Sequence, residues 1–190
     1  MKISSQWAIL WFTSLITVST IGYSSPILSV GSNSVNVGDI FSIPISVSGA
    51  TDLQAFQFDL SYDNTKLNFL SFTDIGTNFE AAAIAGGGSL TGITGFAING
   101  SLSGVADSMS GVSPGAGITS GIIAYISFQD IALGVSPLIL SNVQLNFSDQ
   151  GFSSINGQLS SVPEPNALAL VCIGLIVTLC SRHIRNNCST

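Results

Sequence analysis

The sequence predicts an all-β protein: a β-sandwich of antiparallel strands around one aromatic-rich core, followed by a short C-terminal transmembrane helix. Two stretches carry the β prediction, Phe41–Val47 and Leu53–Tyr62, because apolar and polar residues alternate along both. Such alternation is typical of strands that bury one face. The helix prediction rests on the run from Ala167 to Cys180, which contains no charged residue.

The first element in chain order is a secretory signal peptide, predicted over residues 1–24. A positively charged start precedes an apolar core from Trp7 to Val18, and small residues follow. This layout is typical of export signals. We expect cleavage after Ser24, with cleavage after Gly22 nearly as favourable. A retained N-terminal anchor is the alternative.

Short strands separated by turn residues come next and favour a sandwich. In Phe41–Val47 the odd-numbered residues face one way. Pro44 predicts an edge strand or a neighbouring bulge, because proline has no N–H to donate. One or two helical turns are expected over Asn78–Ala85. The other predicted strands are Leu53–Tyr62, Lys66–Phe72, Thr119–Phe128 (with Ile122, Ala124, Ile126 and Phe128 on one face), Leu138–Leu140, Val143–Phe147 and Ile155–Leu159.

A glycine-rich stretch interrupts this pattern, with eleven glycines from Ile84 to Gly121. Two interpretations are open. The favoured one is a set of long, flexible connections between less regular strands. The other is an adaptable binding face, since binding residues are often carried on loops.

The charge pattern excludes several classes of partner. Charged residues make up 7% of the chain, and Lys66 is the single basic residue between the two ends. A body this acidic cannot neutralise phosphates, so neither nucleic acid nor an anionic lipid surface is expected as a partner. No disulfide is expected outside the tail, where all three cysteines lie (Cys172, Cys180 and Cys188). The acids of this middle part are Asp39, Asp52, Asp59, Asp63, Asp74, Glu80, Asp107, Asp130 and Asp149.

No catalytic, metal or cofactor site is predicted. The segment Gly111–Gly115 fits the Gly-x-Ser-x-Gly nucleophile pattern, but the only histidine, His183, follows the apolar run. Pro114 also lacks the N–H that an oxyanion hole needs after the serine. Asp59 and Asp63 are candidates for a glycosidase carboxylate pair, although a solvated turn is the simpler interpretation. We therefore expect a protein that is not an enzyme.

Sugar binding would need exposed aromatic rings. Both tryptophans lie in the signal peptide. The remaining candidates are expected to be mostly core residues: Tyr62, Tyr125, Phe79, Phe96 and Phe152.

The C-terminal tail combines three features in a fixed order. Val162-Pro163-Glu164-Pro165 is expected to be stiff and extended, outside any sheet. The apolar run would form a helix of roughly 21 Å, shorter than an ordinary membrane span, and basic residues at Arg182 and Arg185 would mark the cytoplasmic side. This order resembles the PEP-CTERM sorting signal of bacterial exported proteins. The resemblance implies processing by the membrane protease-transpeptidase exosortase and a link to exopolysaccharide and biofilm. A linker plus an ordinary anchor is the alternative.

The middle of the chain resembles a cohesin domain. The matching blocks are Val37–Val47, Leu53–Asp63, Ile123–Phe128 and Leu138–Val143. The resemblance implies a jelly-roll sandwich of about nine antiparallel strands. It also implies a non-catalytic module that binds a dockerin, in which the dockerin carries the calcium. The contacts would come from parts of Asp63–Phe72 and from the glycine-rich stretch.

Together these features predict three parts: a signal peptide (1–24), a cohesin-like sandwich (25–160) and a sorting signal (161–190). The expected function is an exported, non-catalytic interaction module at the cell surface or in the extracellular polysaccharide matrix, anchored to the membrane at least until processing. Its expected partners are exosortase and a dockerin-like or matrix protein. The alternative is a carbohydrate-binding module for exopolysaccharide, and a polysaccharide-acting enzyme is the third hypothesis.

Overall fold

The protein is described by a computed structural model over residues 25–147 and 152–162. Within these residues it has one helix, α1 (Asn78–Ala85), and twelve strands. The strands are β1 (Ile27–Val30), β2 (Asn33–Asn36), β3 (Ile40–Ser48), β4 (Ala55–Ser61), β5 (Leu67–Thr73), β6 (Ser89–Leu90), β7 (Thr94–Ile98), β8 (Ser101–Ser110), β9 (Gly121–Asp130), β10 (Gly134–Leu145), β11 (Ser153–Ile155) and β12 (Gly157–Val162).

Several predictions lie outside the described residues: the signal peptide, Pro163, Glu164 and Pro165, the apolar run, and Arg182 and Arg185. In the part of the chain that is described, no helix has the length and hydrophobicity to cross a membrane.

The strands form two sheets, as the sandwich prediction requires. One has five strands in the order β11-β1-β3-β9-β5, and the other has seven in the order β2-β12-β10-β4-β8-β6, with β7 also paired to β8. Most pairs are antiparallel, but β1 with β11 and β2 with β12 are parallel. The structure has three strands more than the nine expected. Each end of the domain forms two strands in different sheets, β1 and β2 at the start and β11 and β12 at the end, and the short β6 is the third addition.

The core between the sheets is aromatic, as predicted. Phe58, Phe79 and Phe128 are fully buried. The ring of Phe79 on α1 meets Phe56 edge-on, with 5.1 Å between their centroids. Such edge-to-face pairs add to the hydrophobic burial that holds the sheets together. Helix α1 also begins as its sequence dictates, since the hydroxyl of Thr77 accepts a hydrogen bond from the Glu80 amide.

Pro44 is not on an edge strand, because β3 lies between β1 and β9. Its carbonyl accepts a hydrogen bond from the Gly31 amide, one residue beyond the end of β1. The missing N–H is therefore on the side of Gly31, just past the last paired residue of β1, and the β3–β9 ladder does not lose a donor. The alternative prediction of a nearby bulge is confirmed, since the β3–β9 register shifts between Ile45 and Ser46.

Several predicted strands differ from the structure: Leu138–Leu140 and Val143–Phe147 belong to one strand, β10, and Ile155–Leu159 is divided between β11 and β12. On β9 the bulge buries Ile123 fully and leaves Ile122 only partly buried, which reverses the predicted face of that pair. Phe147 was predicted to end a strand, but β10 stops at Leu145 and the Phe147 side chain is 82% exposed. Backbone turns with positive φ at Asn146 and Phe147 take the chain out of the sheet.

The favoured interpretation of the glycine-rich stretch is wrong in part. Rather than long connections, it forms β6, β7 and the whole of β8, so it completes one of the two sheets. Asn99 and Gly100, both with positive φ, make the two-residue turn between β7 and β8. Asn-Gly is the dipeptide that this hairpin geometry favours.

Val162 also differs from its prediction. It is the last residue of β12 and pairs with Asn36 of β2, so the sheet includes it. The prediction that Val162 lies outside any sheet is therefore wrong.

Candidate functional site

The outward-facing side of four neighbouring strands, β10, β4, β8 and β7, is the candidate site, and we call it the outer face. The strand registers align its side chains in three rows that cross the four strands. The first row is Ile139, Ser61, Ser101 and Ile98; the second is Ser141, Asp59, Ser103 and Phe96; the third is Gln144, Gln57, Ala106 and Thr94. In the second row Asp59 lies at the β4–β8 register shift, where Ser103 and Gly104 face it together.

Large apolar side chains on this face are open to solvent. Phe96 is 73% exposed, Ile98 is 65% exposed and Ile139 is 44% exposed. Phe96 and Ile98 lie two residues apart on β7, so they point to the same side of the sheet. Ile139 lies in the same row as Ile98, across Ser61 and Ser101. Large apolar side chains grouped on one exposed face are typical of an interaction site.

Asp59 lies in the middle of the outer face, and its carboxylate connects the two neighbouring strands. Its Oδ1 accepts a hydrogen bond from the Gly104 amide of β8 at 2.7 Å. Its Oδ2 accepts one from the Asn142 side chain of β10. Both donors lie where the ladder is irregular, beside the register shifts of β4 with β8 and with β10. The carboxylate therefore holds two bulges in place.

The outer face carries almost no charge. Asp59 is its only acid, and none of its twelve residues is basic. Because the carboxylate already accepts two hydrogen bonds, the face offers a partner apolar and neutral polar groups.

A pocket of about 260 Å³ opens beside the third row of the outer face. Phe147 forms one wall, and Gln57, Thr94 and Gln144 also line it. The neighbouring Asn146 fixes the chain here, since its Oδ1 accepts hydrogen bonds from the amides of Gln54 and Ala55 at 2.8 and 3.2 Å. Its Nδ2 donates to the Asp52 carbonyl at 3.0 Å.

The two carboxylates proposed as a glycosidase pair do not act together in the structure. Asp59 is bonded within the outer face, whereas Asp63 lies in the turn before β5 and forms a 2.6 Å ion pair with Lys66. Hydrogen bonds from Lys66 and then Thr65 lower the pKa of Asp63 to about 2. Each carboxylate therefore has structural partners of its own.

The Gly-x-Ser-x-Gly segment also lacks the context that its chemistry requires. It lies in the loop between β8 and β9, and a strand rather than a helix follows it. The Asp52 carboxylate binds this loop through the amides of Gly115 and Gly117, at 2.7 and 2.6 Å. Hydrogen bonds from Gly115, Gln54 and Gly117 lower the pKa of Asp52. The described residues also contain no group of three or more His, Cys, Asp or Glu that could hold a metal.

The predicted contact region is divided by the fold. Residues 67–72 belong to β5 in the five-stranded sheet, whereas the glycine-rich stretch forms β6, β7 and β8 in the other. Only the second part reaches the outer face. Among the aromatic candidates, Phe79 is fully buried and Phe96 is exposed; Tyr62, Tyr125 and Phe152 are half-buried.

Sequence reasoning missed Ile98, Ile139 and Phe147 as surface residues. For Ile98 a signal was present, since the Asn99-Gly100 turn beside Phe96 and Ile98 predicts a hairpin with both side chains on one face.

Comparisons with known proteins agree with this fold. A model of the cohesin domain matches residues 27–161. No curated protein matches the sequence. Among solved structures, a cohesin of Clostridium acetobutylicum, CaCohA2, in complex with the dockerin CaDoc0917 has a TM-score of 0.56 at 19% identity, over 73% of this chain and 100% of that one. A non-cellulosomal cohesin of Archaeoglobus fulgidus has a TM-score of 0.56 at 16% identity, over 76% and 96%.

A third structure, the third ScaC cohesin of Acetivibrio cellulolyticus in complex with the ScaB dockerin, has a TM-score of 0.56 at 16% identity, over 72% of this chain and 99% of that one. Identities this low show a common fold only. The family model covers more than two thirds of the chain and the sandwich agrees with it, so this protein belongs to the cohesin family.

Proposed function

We propose that this protein is an exported, non-catalytic cohesin module that binds a dockerin-like partner protein through its outer face. The observation that carries the proposal is the alignment of Phe96, Ile98 and Ile139 on one rigid, nearly uncharged side of the sheet. Two of the similar solved structures are cohesins in complex with dockerins, which supports a protein partner.

The chemistry of the face defines the partner's contact surface. With Asp59 engaged by Gly104 and Asn142, the contact must come from neutral polar groups and from apolar burial, the latter at roughly 25 cal/mol per Å². The partner should therefore present apolar side chains rather than a basic patch. Because screening acts on charges, the affinity should change little between low and physiological salt.

A capture experiment tests the proposal. The full chain, carrying an affinity tag and exported by its own cell, is used to retain exported proteins, and their affinity is then measured by calorimetry. Ile98→Asp should weaken binding at least tenfold, because a carboxylate without a partner would be buried at the contact. A retained protein whose affinity is unaffected by this change would contradict the proposal.

Ile84→Asp is the matched control. Ile84 lies on α1 and is 65% exposed, the same fraction as Ile98, but it is outside the outer face. The control variant should bind like the wild type. Thermal unfolding of both variants shows whether either change disturbs the fold itself.

Carbohydrate binding is the second candidate, and the exposed ring of Phe147 favours it. This ring lines the pocket of about 260 Å³ together with neutral polar groups of Gln57 and Gln144. Aromatic rings beside amide groups suit the faces and hydroxyls of a sugar. A glycan array distinguishes the two candidates: binding that Phe147→Ala abolishes and Ile98→Asp leaves intact would favour the glycan.

The proposal includes the two ends of the chain. Residues 1–24 act as an export signal. Residues 161–190, with Pro163-Glu164-Pro165, the apolar run and Arg182 and Arg185, act as a sorting signal that exosortase processes at the membrane. The product would lie at the cell surface or in the polysaccharide matrix. Mass spectrometry of the mature protein tests this part: a C-terminus still at Thr190 would contradict it.

A further inference from the structure

Two acidic side chains that are not among the outer-face residues are buried inside the domain. Asp74 follows β5 and is 8% exposed, and Asp107 lies on β8 and is 5% exposed. The Asp74 carboxyl lies near that of Asp107 and raises the pKa of Asp107. The Oδ2 atom of each is buried and receives no hydrogen bond from any donor in the described residues.

No positive charge is available to this pair. Lys66 is the only Lys, Arg or His in residues 25–147 and 152–162, and it is bonded to Asp63. The ionisable residues on α1 and on the strands packed around β8 and α1 are acids or a tyrosine: Asp59, Glu80, Tyr125 and Asp130. Two neighbouring buried carboxyl groups cannot both ionise without a large free-energy cost.

We propose that Asp74 and Asp107 share one proton in the folded protein, and that losing this proton loosens the sheet edge formed by β6 and β7. With the shared proton, one Oδ2 atom becomes a hydrogen-bond donor and the other accepts from it. Both buried Oδ2 atoms then have a partner. Buried polar groups in native structures nearly always find such a partner.

The connection to the sheet edge runs through Thr91, which links β6 to β7. Its hydroxyl donates to Oδ1 of Asp107 at 2.9 Å, and its amide donates to the Ser108 carbonyl at 2.9 Å. The Ser108 amide donates to the same Oδ1 of Asp107 at 2.7 Å. On the other side, the carbonyl of Asp74 accepts from Thr77, the N-cap of α1. Repulsion between the two carboxylates would therefore separate β8 and the β6–β7 link from the start of α1.

The pH range follows from the groups around Asp107. Burial and then the contact with Asp74 raise its pKa to about 6, against opposing hydrogen bonds from Thr91 and Ser108. A carboxyl whose pKa is raised on folding stabilises the protein fully below its unfolded value of 3.8. That stabilisation is lost as the pH rises through about 6. The sheet edge formed by β6 and β7 is thus held in place in mildly acidic surroundings and loosened above neutral pH.

Hydrogen exchange and thermal unfolding of the full chain at pH 5 and pH 7.5 test this inference, with exchange expressed as protection factors. In the wild type, Tm should be about 5 °C lower at pH 7.5, and amides of residues 89–98 should lose protection. Asp107→Asn should abolish both differences, because its amide donates to Asp74 in place of the proton. Asp39→Asn, which changes an exposed carboxylate, should leave both differences as they are.

Three outcomes would overturn the inference: wild-type protection that is equal at both pH values, a difference that persists in Asp107→Asn, or acid-level protection restored at pH 7.5 by millimolar Ca²⁺. The last result would make the pair a cation site. These readouts need no partner, and the variants leave Phe96, Ile98 and Ile139 in place, so their failure is distinct from failure of the proposed function.

Discussion

Replacing Asn146 by alanine should lower the free energy of unfolding by about 3 kcal/mol. The side chain makes three hydrogen bonds, to the amides of Gln54 and Ala55 and to the Asp52 carbonyl. Because Asn146 is exposed and water partly replaces these bonds, they contribute about 2 kcal/mol together. The backbone at Asn146 also has a φ of 52°, where alanine costs about 1 kcal/mol more than asparagine.

Two further variants separate these contributions in urea unfolding. Asn146→Gly accepts the positive φ but lacks the hydrogen bonds, so it should lose about 2.5 kcal/mol, including a small loss from the greater freedom of the unfolded chain. Asn99→Ala is the control, because Asn99 has a φ of 45° and no side-chain hydrogen bond is seen for it among the described residues. It should lose only about 1 kcal/mol. If Asn146→Ala costs no more than Asn99→Ala, the hydrogen bonds contribute nothing and the reasoning is refuted.

Three other changes test the fold. Phe58→Ala removes a fully buried ring and should cost about 4 kcal/mol in urea unfolding; a loss below 1 kcal/mol would mean that the core is not packed there. By NMR the Asp63 carboxyl should titrate near pH 2, so its stabilising effect is present above pH 3.8 and lost as the pH falls through about 2. Lys66→Met should raise this midpoint, and an unchanged midpoint would exclude the ion pair as the cause. Gly100→Ala should destabilise by about 2 kcal/mol, since φ is 82° and a Cβ would lie 2.7 Å from the Tyr62 carbonyl; a neutral result would exclude the tight turn.

Alternation along the chain predicted several strands that cross the core, β3 and β4 among them, but not β8. Phe56, Phe58 and Leu60 face inward on β4 as the pattern requires, because one wrong step would have placed all three in water. Alternation does not predict β-bulges. A bulge adds one residue to a strand and so changes which side chains face the core, but no particular residue type signals it. Ile122 and Ile123 show this on β9, opposite the register shift in β3.

The candidate site was harder to predict than the core. Its rows combine residues from four strands, and the pairing of Ile139 with Ser61 or of Ile98 with Ser101 depends on strand order rather than local sequence. The many glycines also concealed three strands, β6, β7 and β8. Glycine is unfavourable in strands on average, but here several glycines occupy turns and bulges at positive φ, for example Gly104.

The position of Asp59 explains how the shape of the outer face is fixed. β7 lies at the edge of its sheet, and an edge that is flat and apolar invites pairing with another chain. Every strand pair beneath the outer face contains a register shift, and bulges of this kind increase the local twist. By bonding Gly104 on one side and Asn142 on the other, the Asp59 carboxylate fixes two of these bulges. The Asp59 carboxylate therefore helps to fix the twisted shape of the outer face. A twisted face favours a partner with a complementary surface over pairing with a second flat strand.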